Sequence, residues 1–154
     1  MTPTATARPS RWQVWRQLHR DDRVALQQAV LLIPAMHIIV RIVGFNRLHA
    51  WIERSPAGAP ATGAAAESVT CCTLAVNRAR RYAPYRGNCL SQSLTLLYML
   101  RRRGVAPTLR LGVRLSAARL DAHAWVEFDG RVLNDTQDVH TRFAPFSTSN
   151  PPGR

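Results

Sequence analysis

Cys89, His123 and Asp135 are the residue types that covalent acyl chemistry needs, and they occur in an order that suits it. Cys89 lies in Arg86-Gly87-Asn88-Cys89-Leu90-Ser91-Gln92, at the head of a leucine-rich run. A cysteine that opens a helix meets the unpaired N–H groups and positive dipole end of that helix, which favour a thiolate. His123 sits in the alternating segment Asp121-Ala122-His123-Ala124-Trp125, and Asp135 follows Val132-Leu133-Asn134. In such an arrangement the thiolate attacks a carbonyl carbon and the imidazole takes up and returns the proton. The carboxylate fixes the ring's tautomer and stabilises its charge. The oxyanion would meet the backbone N–H of Cys89 and one further donor, for which Asn88 and Gln92 are candidates by proximity. Glu127 and Asp138 stay open as alternative orienters, because strand register is not fixed by sequence. The chemistry requires no metal and no organic cofactor.

Each of these residues is ordinary when taken alone. A cysteine on an apolar helix face is usually a small core residue, and a strand histidine is usually structural. Their order and the elements that carry them are what point to a site. The helix after Cys89 shows apolar positions at Leu90, Leu94 and Leu97, with Leu96 and Leu100 beside them. Arg101, Arg102 and Arg103 fall in its expected last turn, and Gly104 supplies a left-handed stop. After Pro107 the period changes to two: Leu109, Leu111, Val113 and Leu115 alternate with Arg110, Gly112 and Arg114. A second strand is expected over 122–128. Asp129-Gly130 signals a hairpin turn into a third strand over 131–133. In this alternation His123 shares a face with Trp125 and Glu127, and the tight hairpin would set Asp135 beside His123 across the ladder.

Upstream, residues 1–10 read as a disordered tail, and 11–54 as an N-terminal helical region. Within that region Trp12, Trp15 and Leu18 share a face of a first short helix. A second helix is expected after Asp21-Asp22, kinked near Pro34 and running to about Gly44. Residues 55–64 have linker composition, and a helix is expected from about Glu67 to Tyr82, stopped by Pro84. The core then spans 65–145, with a helical first half before an antiparallel meander. This is an α+β class, with the cysteine helix packed on the sheet.

The chain has 154 residues and a net charge of +12, which favours an acidic partner. It lacks the aromatic-and-basic platform that stacks bases, so nucleic acid is not the expected partner. Three cysteines, two of them the vicinal Cys71 and Cys72, make no disulfide framework and point to a reducing, cytoplasmic setting. Zinc is disfavoured because no cysteine or histidine pair beyond those two has ligand spacing. Cys71 and Cys72 read as packing residues, and His19, His37, His49 and His140 as surface or structural ones. Residues 24–45 are long enough to span a bilayer, but Gln27, Gln28, Pro34, His37 and Arg41 interrupt them. A buried or partner-binding helical segment explains that pattern better than a membrane span.

The runs GNCLSQSLTLLYMLRRRGV, LRLGVR and AHAWVEFDGRVLND together resemble the transglutaminase-like B proteins of lasso-peptide biosynthesis. The likeness covers roughly residues 67–136 with order and spacing kept, and RIVGFNRLHAWI is similar to the helical region that precedes the protease part in that family. It implies a papain- or transglutaminase-like core with Cys89, His123 and Asp135 as the catalytic residues. It further implies a leader peptidase that trims a ribosomally made precursor before a separate synthetase closes the macrolactam. No leader-recognition domain is visible before the helical region, so the likeness is to the split form, which works with a separate recognition protein. An acyltransferase that uses the same three residues, or a non-enzymatic basic adaptor, are the competing expectations.

Overall fold

The computed structural model describes residues 19–56, 58, 65–116 and 119–146. The expected tail over 1–10, the helix carrying Trp12, Trp15 and Leu18, and most of the 55–64 linker lie outside the described residues.

Helix α1, Arg20–Val43, carries Asp21 and Asp22 inside its first turn, where carboxylates meet the positive end of the helix dipole. It buries Ala25, Leu26, Ala29, Ile33 and Met36, a stripe at helical spacing. Helical backbone continues through Pro34, which withholds one N–H donor without ending the element. Gly44, at φ +87°, closes the helix by donating to the Val40 carbonyl at 3.0 Å. Phe45–Arg54 is a separate helix, α2, which buries Leu48 and Ile52. Helix α3, Ala65–Tyr82, buries Cys72, Ala75, Val76 and Ala79.

Helix α4, Cys89–Arg101, is buried almost all round, from Ser91 to Leu97 and again at Met99 and Leu100. It ends two residues before the expected last arginine. Gly104, at φ +76°, turns the chain, and Val105 N–H bonds the Leu100 carbonyl at 3.1 Å. Two of the arginines serve the fold. Arg101 donates to the Ile52 carbonyl at 3.0 Å and pairs with Glu53 at 3.1 Å, and Arg103 donates to the Cys72 sulfur. Burial pushes the Cys72 thiol up to about 11 despite that neighbour, so it is an inert core residue.

Strands β1 (Thr108–Ser116), β2 (Arg119–Phe128), β3 (Arg131–Val132) and β4 (Ala144–Phe146) form one antiparallel sheet in the order β3-β2-β1-β4. Asp129 (φ 48°) and Gly130 (φ 72°) make the hairpin turn that their types predict. A one-turn helix, α5 (Val139–Arg142), precedes β4. The sequence reading did not anticipate these last two elements. Strand β4 has three residues with no alternation, and its Pro145 is tolerated because the strand lies at the sheet edge.

The sheet has two working faces. Val126 joins the main core shared by α1 to α4, whereas Trp125 packs with Val132, Val139 and Phe143 on the other side. Each fully buried side chain such as Ile33, Leu94 or Leu97 contributes roughly 1.5–3 kcal/mol. Helix α1 is long and apolar enough to cross a membrane by length and composition. Here one of its faces is buried in the core while Leu31, Ile38 and Ile42 are exposed.

Candidate active site

The head of α4 is built by a reciprocal cap. Asn88 Oδ1 accepts from the Ser91 N–H at 2.8 Å, and Asn88 N–H donates to Ser91 Oγ at 3.1 Å. Two donors of the first turn are thereby satisfied. The backbone N–H groups of Cys89 and Leu90 have no partner among the described residues and point out of the helix mouth. Cys89 is the first helical residue and is half-buried.

The loop before it is held from two directions. Gln92 Nε2 donates back to the Arg86 carbonyl at 2.8 Å, and Gly87 (φ +66°) lies against α1. A Cβ at Gly87 would sit 2.5 Å from Ile33 Cγ2 and 2.5 Å from Ser91 Oγ, in a backbone region that L side chains avoid. Gly87→Ala is therefore expected to destabilise the fold by roughly 2–3 kcal/mol and to lower activity with it. Chemical denaturation reads the first effect, and an unchanged unfolding midpoint would refute the close approach.

His123 and Asp135 are brought together: His123 Nε2 is hydrogen-bonded to Asp135 Oδ2. The expected ladder pairing is not how this happens. Strand β3 ends at Val132, and Asp135 stands in the bend beyond it, alongside the edge of β2 that β3 leaves open. With Nε2–H donating to the carboxylate, Nδ1 is the ring nitrogen left to accept a proton. The ring is stacked on Phe143 at 4.8 Å between centroids and lies near-parallel to Trp125 at 6.2 Å.

The other Asp135 oxygen accepts from Arg142 Nη2 at 2.9 Å and from the Thr136 N–H at 2.7 Å. Burial would raise this carboxyl, but the Thr136 N–H, His123 and Arg142 outweigh it and hold it below the usual carboxylate range. The stabilisation is complete above the unfolded value near 3.8 and is lost as pH falls through the lowered native value. Arg142→Met should move acid unfolding to higher pH, as followed by circular dichroism. Glu127 and Asp138, the alternative orienters, are engaged elsewhere. Glu127 binds Arg110 (3.1 Å), Trp125 Nε1 (2.6 Å) and His140 (3.1 Å), and Asp138 faces Arg142.

A buried bridge joins α4 to this strand. Ser93 Oγ donates to the Ala124 carbonyl at 2.9 Å and accepts from Asn134 Nδ2 at 2.8 Å, while Asn134 Oδ1 accepts from the Val126 N–H at 2.8 Å. These side chains replace the strand neighbour that β2 lacks there. Ser93 is one helical turn beyond Cys89 on the same face, and Ala124 follows His123, so cysteine and histidine stand about one turn and one residue, respectively, from the Ser93–Ala124 bond. Cys89 makes no hydrogen bond to His123 among the described residues. Of the oxyanion candidates, Gln92 has its amide nitrogen on loop carbonyls, whereas the Asn88 amide nitrogen has no partner among the described residues.

Sequence reasoning missed Ser93, Asn134, Arg142 and Phe143. A signal was present for the first: Ser91, Gln92, Ser93 and Thr95 crowd the start of an otherwise leucine-rich helix, and buried polar groups need partners. Arg142 ends, and Phe143 follows, a one-turn helix that the pattern did not reveal.

The family model described as the transglutaminase-like superfamily matches residues 32–148, about three quarters of the chain. No curated protein and no solved structure matches the sequence. The superfamily takes in cysteine peptidases and acyltransferases, and the matched span contains all three of Cys89, His123 and Asp135. On that span the chain belongs to the transglutaminase-like superfamily.

Proposed function

We propose that this protein is a cysteine peptidase, a cytoplasmic leader peptidase that trims a ribosomally made lasso-peptide precursor. It works with a separate leader-recognition protein and ahead of a macrolactam synthetase. The observation that carries the proposal is an imidazole held by Asp135, itself held by Arg142, on the strand to which the helix that opens on Cys89 is bonded through Ser93 and Ala124. The leader-peptide specificity comes from the sequence resemblance of the three blocks around those residues.

In this reading Cys89 attacks the scissile carbonyl as thiolate, and His123 takes up the thiol proton at Nδ1. The tetrahedral oxyanion is met by the Cys89 backbone N–H, with the Asn88 amide as the second donor. Collapse expels the amine, which takes the proton from His123 and leaves a thioester on Cys89. Water, deprotonated by His123, then releases the acid and restores the thiol. Asp135 keeps the ring oriented and stabilises its charged form throughout.

Acyl transfer uses the same first half and differs only in what attacks the thioester. Product mass separates the two. Incubated with precursor peptide and recognition protein, the enzyme should yield two fragments whose summed mass exceeds the precursor by one water. A product in which an amine has replaced the leaving group would establish transferase activity instead.

A further inference from the structure

Beside the head of α4 lies a groove of about 250 Å³ lined by His37, Val40 and Arg41 of α1 and by Asn88, Leu90 and Ser91. Asn88 and Leu90 are the immediate neighbours of Cys89, so whatever fills the groove lies within about one or two residues of the attacked carbonyl, at some 3.5 Å per extended residue. Its walls come from two segments well separated in the sequence. Ile33 against Gly87 and His37 edge-on to Tyr85 at 5.7 Å fix α1 onto the loop that delivers Cys89.

The chemistry of the groove has a sign. Arg41 is exposed and has no carboxylate partner among the described residues, in contrast to Arg101, Arg110, Arg114 and Arg142, which are all paired. Asn88 and His37 line the same space. There is no acidic residue in the lining, while Val40 and Leu90 supply an apolar wall. A carboxylate on a short aliphatic stem meets each of these: methylenes against Val40 and Leu90, oxygens toward Arg41.

We propose that this groove is a specificity subsite for an acidic side chain of the substrate peptide, glutamate over aspartate, close to the scissile bond. The proposal rests on the peptidase reading and deepens it. Arg41 is the residue that selects charge, with Val40 and Leu90 setting the reach.

The test uses the full chain with its recognition protein and a panel of precursor peptides. These carry Glu, Asp, Gln or Lys at each position within three residues of the cut bond. At one position, kcat/KM for Glu should exceed that for Lys by about tenfold, as attraction and repulsion at one exposed cation combine. Arg41→Glu should invert that ratio, whereas Arg47→Glu, an equal charge change on α2, should leave it as it was. Binding of the same peptides to Cys89→Ala, by fluorescence anisotropy, separates the possible failures. Cleavage with Glu and Lys within twofold at every position overturns the subsite alone. Glu-selective binding without any cleavage by the wild type overturns the peptidase reading alone. Neither selectivity nor cleavage overturns both.

Discussion

Cys89→Ala should lower kcat/KM for precursor cleavage by at least about 10⁴-fold, because no other group in the site can form the acyl intermediate. The fold should survive the change. The α4 cap is made by Asn88 and Ser91, and the Cys89 side chain is half-buried and not hydrogen-bonded among the described residues. A thermal midpoint close to that of the wild type, together with lost cleavage, is the expected pair of results. His123→Ala should match it in cleavage. Asp135→Ala should be milder, since the ring keeps its stack on Phe143 when the carboxylate is gone. A Cys89→Ala protein that retained a tenth of the wild-type rate would remove the thiol from the mechanism.

Asn134→Ala should give the largest loss of stability among single changes near the site. Its amide spans a buried gap, accepting from the Val126 N–H and donating to Ser93 Oγ. Truncation leaves the N–H buried without an acceptor and takes one of two partners from Ser93, a cost of about 2–4 kcal/mol. The effect on catalysis should exceed what unfolding explains, because the same bridge sets the head of α4 against β2 and Asn134 precedes Asp135. Denaturant titration and kcat/KM measured well below the transition separate the two losses. A variant as stable as the wild type would show that the bridge is incidental. A destabilised variant with full activity would confine it to stability.

What could be read from sequence divides along physical lines. Helix α4 was legible because its signals agree: an apolar stripe from Leu90 to Leu100 and a glycine stop at Gly104. The β1–β2 pair was legible from alternation, and Asp129-Gly130 from its turn chemistry. The partnership of His123 with Asp135 was anticipated, but for the wrong geometric reason. It comes from a loop lying along an open strand edge, where side chains replace ladder hydrogen bonds. No periodicity encodes that arrangement. Strand β4 and helix α5 were illegible because each is too short to show a period, yet they deliver Arg142 and Phe143 to the site. The arginines ending α4 read as cations placed against the negative end of the helix dipole, while two of them are fastened to α2 and Cys72, contacts that only the tertiary fold creates.

The coupling of sulfur to imidazole is the step on which catalysis turns, and alkylation of Cys89 by iodoacetamide at neutral pH reports it without any substrate. Followed by intact mass, with Cys71 and Cys72 replaced by alanine, the wild-type reaction should run at least about tenfold faster than that of His123→Ala. Equal rates in the two proteins would mean that the ring does not activate the thiol.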